Sequence, residues 1–61
     1  MIPYAQSNIK MINPTTGTKV VTTGNHGDKT TRYQFEAHRI LEDGSINGEA
    51  EWFQKMAFFM D

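Results

Sequence analysis

Sixty-one residues without a cysteine, six Lys and Arg against seven Asp and Glu, and a net charge of −1 describe one small domain spanning residues 1 to 61. A chain of this length buries only about 60% of the surface its unfolded form exposes, and a core so small usually needs a staple. Disulfides and thiolate-held metals are excluded, which leaves self-association or a partner.

The charge is unevenly divided. Residues 1 to 41 carry five cations and two anions, a balance of +3, and the remainder one cation and five anions, a balance of −4. Such asymmetry points to an ionic partner or to two faces with different roles. The opening "MIPYAQSNIKMINP" lacks a basic segment followed by an apolar run. Nothing reaches the roughly 18 apolar residues of a membrane span. The expectation is a cytoplasmic protein that does not engage a membrane.

In chain order, residues 1 to 6 are expected to be disordered, as chain ends often are. "SNIKMINPTTGTKVVTTG" holds two partly β-branched apolar stretches around a Pro-Thr-Thr-Gly turn, predicting a hairpin with strands near Asn8 to Ile12 and Thr18 to Thr23. "GNHGDK" reads as a loop. "TRYQFEAHRIL" places Tyr33, Phe35, Ala37 and Leu41 on one side of a strand, with Arg32, Gln34, Glu36, His38 and Ile40 on the other. "EDGSING" offers two turn signals, Asp43-Gly44 and Asn47-Gly48.

The stretch "EAEWFQKMAFFM" admits two readings. As a strand folded back through Asp43-Gly44 it would set Ile46 opposite Leu41, Ala50 opposite Ala37 and Trp52 opposite Phe35. That register costs a Glu36–Glu51 like-charge pair. As a helix it gathers Trp52, Phe53, Met56, Phe59 and Met60 on one arc. It contains no Val, Ile or Thr, has Asn47 as N-cap, and places Glu51 four residues before Lys55. The expected fold is therefore α+β, an antiparallel sheet of about three strands (β-β-β) covered by one C-terminal amphipathic helix. The alternative is an all-β meander of four strands. In the helical reading Trp52, Phe53, Met56 and Met60 are core, whereas Phe58 is left outside and Phe59 stands at the edge.

Catalysis finds little support. His26, Asp28 and His38 have no metal-ligand spacing, Ser7 and Ser45 lie in no nucleophile elbow, and Glu42-Asp43 and Glu49-x-Glu51 fit a turn and a helix start. "GNHGDKT" departs from the phosphate-loop pattern in glycine spacing and in Asp28. A non-enzymatic protein with no cofactor and no metal is expected.

Two binding classes remain. The leading expectation is a protein-binding module acting by surface occupation, with self-association into a homo-oligomer. Phe58, Phe59 and Lys55 would serve on the helix side and Arg32, Gln34 and His38 on the sheet. A chain this small suits a regulator or inhibitor from a phage or mobile element. The alternative is DNA or RNA binding through Lys10, Lys19, Arg32, Gln34 and His38 on the polar sheet face, against which Glu36 counts.

Overall fold

The computed structural model describes residues 3–27 and 33–61, which form a five-stranded antiparallel sheet. The strands are β1 (Ser7–Asn13), β2 (Thr18–His26), β3 (Gln34–Ile40), β4 (Ile46–Gln54) and β5 (Phe59–Met60). Their spatial order is β4-β3-β2-β1-β5, so a four-strand meander is completed by a last strand that returns to pair with the first.

Local chemistry accounts for the hairpins. Asn13 accepts from Thr15 and Thr16 through its side chain and from Gly17 through its carbonyl at 2.7 Å, and Gly17 turns the chain with φ +76°. In the β3–β4 connection Leu41 N–H bonds to Ser45 O at 2.7 Å around a loop of Glu42, Asp43 and Gly44. Gly44 has φ +89°, and the Asp43 carboxylate accepts from both Ser45 N–H and Ser45 Oγ. This is a turn followed by a left-handed glycine, the common three-residue hairpin loop.

The short link from β4 to β5 forces the sheet to curl. Laid flat, the outer strands of five would stand four spacings apart, about 19 Å. The intervening residues contain a 3-10 turn, Lys55–Ala57. That turn rises about 6 Å, and the remaining extended steps bring the reach to about 13 Å. The concave side that results is filled by Met11, Val20, Phe35, Ala37 and Phe58, with Tyr4, Ile9, Phe53 and Ala57 packed against them. Four aromatic rings form its centre. Phe35 lies 5.0 Å from Tyr4, 6.0 Å from Phe53 and 5.4 Å from Phe58, and the Phe53 and Phe58 rings are 5.1 Å apart. At the amino end Pro3–Ala5 make a 3-10 turn, and the Tyr4 hydroxyl donates to Lys55 O at 2.9 Å, tying that turn to the link before β5.

The ladder is interrupted three times, and polar side chains serve each irregularity. Between Ser7 and Lys10 strand β1 has one residue more than β2 opposite it, with Asn8 at φ +63°. There the buried Thr22 hydroxyl donates to Gln6 O and accepts from Ile9 N–H at 3.0 Å. Between Thr22 and His26 strand β2 carries two residues more than β3, and the Glu36 carboxylate accepts from Thr23 Oγ1 and Asn25 Nδ2, each at 2.9 Å. Strand β4 carries two more than β3 between Ile46 and Ala50, where His38 Nδ1 bonds to Asn47 O at 2.8 Å.

The C-terminal helix expected from the sequence is not present. Residues 46–54 are a strand, 55–57 a single 3-10 turn and 59–60 a strand again, so the fold is an all-antiparallel sheet rather than α+β. The four-strand alternative also differs, since β5 adds a fifth strand and β4 pairs in another register. Helix propensity is a weak prior that tertiary context overrides. A helix here would leave β3 with a row of unpaired backbone groups, which β4 satisfies instead. The expected core changes with it: Phe35 and Ala37 are buried, whereas Tyr33, Leu41, Trp52, Met56 and Met60 are exposed.

Candidate functional site

Strand pairing determines which side chains share the convex side, away from the core. Phe59 pairs with Ile12, Ile12 with Lys19, and Ile40 with Ile46. Lys19 adjoins Ile40 one step beyond the Val20–Arg39 pair. A second row runs Lys10, Val21, His38, Ala50, and a third pairs Glu36 with Trp52. The outcome is a face whose apolar ridge, Phe59, Ile12, Ile40 and Ile46, is interrupted by Lys19, with Lys10 in the row beside it. Phe59 is 59% exposed, Ile46 57% and Trp52 48%, and Lys10 and Lys19 stand between them.

Of the residues singled out from the sequence, Lys10, Lys19, Gln34 and His38 therefore lie together on this face, and Phe59 joins them from β5. Arg32 lies outside the described residues. Phe58, expected to stand clear of the core, is 4% exposed and packs edge-on against Phe35 and Phe53, so it presents nothing to a partner. Phe58 and Phe59 are successive residues of extended chain, which point to opposite sides. Lys55 is remote from the face, with its ammonium 3.1 Å from His26 Nδ1 and 5.6 Å from the Tyr4 ring centroid.

Ile40 lies on the face where the strand alternation places it, whereas Ile12, Ile46 and Trp52 join it unexpectedly. The signal lay in the loop. A two-residue Asp43-Gly44 turn pairs Glu42 with Ser45 and sends Trp52 to the Phe35 side; the observed three-residue loop pairs Leu41 with Ser45 instead. Two further residues at the β4 bulge leave the parity unchanged. Phe53 thus opposes Phe35, and Trp52 opposes Glu36.

The electrostatics of the face are specific. The hydrogen bonds from Asn25 and then Thr23 hold the Glu36 carboxyl below the usual carboxylate range, so a negative charge persists beside Trp52. Asn47 O can only accept, so His38 donates to it through Nδ1–H. On the concave side Glu51 is occupied by Arg39 at 2.7 Å, and that guanidinium lies 5.5 Å from the Phe53 ring centroid.

A shallow open cleft of about 570 Å3 between the two hairpin turns is lined by Lys19, Arg39, Ile40 and Glu42, among others. Its cations are offset by Glu42, and Arg39 is already committed to Glu51. Among the described residues no three His, Cys, Asp or Glu side chains converge as metal ligands, and no helix is long and apolar enough to cross a membrane. Comparison with protein-family models, curated proteins and solved structures gives no match.

Proposed function

We propose that the chain is a non-enzymatic protein-binding module that regulates or inhibits a partner by occupying its surface with the convex face of the sheet. The observation that carries this reading is the placement of Phe59, Ile46 and Trp52, all about half exposed or more, on the side opposite the core. Aromatic and aliphatic anchors recur in protein interfaces, and here Phe59 on β5 and Ile46 and Trp52 on β4 flank a polar middle of Lys10, Lys19 and His38 on the same face. The ionised Glu36 favours a protein over nucleic acid, because a fixed anion beside Trp52 repels phosphate.

Affinity capture from the native cell lysate tests the reading when the wild type is compared with a Phe59→Ser/Ile46→Ser variant of unchanged circular dichroism. Companions lost from the variant, yet retained after nuclease and in high salt, support it. Companions that nuclease removes would reverse the assignment to DNA or RNA, and companions indifferent to both substitutions would place the interface elsewhere.

A further inference from the structure

We propose that a second copy of this chain pairs with the outer edge of β4, antiparallel and about a two-fold axis at Trp52, joining two sheets into one. This goes beyond the convex-face reading, with which it shares Trp52 alone, and the closing experiments separate the two.

Three observations converge on the edge. Lys55 N–H bonds to Tyr33 O at 2.8 Å, which makes Tyr33–Lys55 a hydrogen-bonded pair of the antiparallel ladder. Bonded and non-bonded pairs alternate, so Phe53 and Glu51 face β3 with their backbone groups, and Ala50, Trp52 and Gln54 direct theirs outward. No other strand of the described residues pairs there. The open stretch is bounded by the bulge at residues 47–49 and by the 3-10 turn from Lys55. Within it two of the devices that usually blunt an edge, proline and lysine, are missing. Its one charge, Glu51, is turned to the concave side and paired with Arg39.

The side chains select the register. Pairing Trp52 with its symmetry mate sets Ala50 opposite Gln54 of the other copy, so that all three outward-facing residues form bonded pairs, about six hydrogen bonds in total. The same register places Glu49 opposite Lys55 twice, and Glu51 opposite Phe53. Sliding the copies two residues one way would set Glu51 against Glu51; sliding them the other way forfeits one bonded pair. Charge complementarity and backbone satisfaction therefore agree on a single arrangement, which also brings the two Trp52 rings together on the convex side.

Sedimentation equilibrium of the full chain over a wide concentration range tests this. Wild type should pass from monomer to dimer. Ala50→Pro removes an outward N–H without touching the β3 ladder, and it should weaken the dimer about tenfold or more. Glu49→Lys or Lys55→Glu alone should weaken it about fivefold, because each turns two ion pairs into like-charge pairs, and the two together should restore it. The chain has no cysteine, so Trp52→Cys should give one symmetric disulfide dimer under mild oxidation, the expected Cα separation of about 5.5 Å being suited to a disulfide. A wild type monomeric at all concentrations would overturn the proposal, as would a dimer indifferent to Ala50→Pro or a double charge exchange that fails to restore association. A variant Phe59→Ser that still dimerises separates this edge from the convex-face interface.

Discussion

Thr22→Val gives the sharpest test of how this sheet tolerates its irregular first strand. Thr22 is 2% exposed, and its hydroxyl is the partner of both Ile9 N–H and Gln6 O where the β1 bulge breaks the ladder. If the residue were mere core filling, valine, with the same shape and one more apolar group, would stabilise the fold by about 1 kcal/mol. The hydrogen bonds predict the opposite sign. Two backbone groups deprived of partners cost about 1–3 kcal/mol each. Ile9 and Gln6 are both half-buried, so water relieves part of the penalty. After the apolar gain the net loss is about 1–3 kcal/mol, a large share of the roughly 3–9 kcal/mol typical for a chain of this length.

Urea unfolding followed by circular dichroism provides the assay, with Thr22→Ser as control. Serine keeps both hydrogen bonds and loses one methyl, about 1 kcal/mol. With a slope near 1 kcal/mol/M, valine should lower the midpoint by about 1–3 M with the slope unchanged. Hydrogen exchange separates the causes: the Ile9 amide should stay protected in the serine variant and lose protection selectively in the valine variant. A Thr22→Val protein as stable as wild type, with Ile9 protected, would refute the account of the bulge.

Other substitutions probe other parts of the sheet. Phe58→Ala removes the ring that closes the aromatic cluster over Phe35 and Phe53 and should cost about 3–5 kcal/mol, read as a lowered urea midpoint by circular dichroism. Gly24→Ala forces a side chain onto φ +96° and brings its Cβ within 3.4 Å of Ser7 N, so it should lower stability by about 1–2 kcal/mol in thermal unfolding. The Glu36 carboxyl is held below its ordinary range by Asn25 and Thr23, so its stabilisation is complete above the unfolded-state value and is lost as pH falls through the depressed folded-state value. Glu36→Gln should flatten the acid limb of a stability-versus-pH profile, and an unchanged limb would show that the carboxylate does not anchor the β2 bulge.

The sequence made local turns legible and long-range parity illegible. The first hairpin could be read because Pro14 to Gly17 carry their own turn chemistry, realised in the Asn13 side-chain bonds and the left-handed Gly17. Phe35 and Ala37 could be assigned to the core because alternation within one strand is a local property. The last third could not be read this way. Ala, Glu, Gln, Lys and Met favour a helix in isolation, and nothing near Trp52 reports that β3 needs a neighbour. The polar face was half legible: Lys10, Lys19, Gln34 and His38 do share it, but its apolar ridge depends on pairings between distant strands and on three irregularities that composition does not mark.

One parity choice at the Leu41–Ser45 closure links both proposed surfaces. Placing Phe53 rather than Trp52 over Phe35 completes the aromatic core, frees Glu36 from Glu51 and lets Glu51 meet Arg39. The same choice sends Trp52 to the convex side, while its backbone groups face the outer edge of β4. Trp52 is thus the residue at which the ridge and the edge meet. A core this small has little reserve, and an edge-to-edge dimer would add stability by mass action as its concentration rises. The apolar face that a helix was expected to shelter is covered instead by the sheet's own curl and by Phe58, which leaves Trp52, Ile46 and Phe59 available for association.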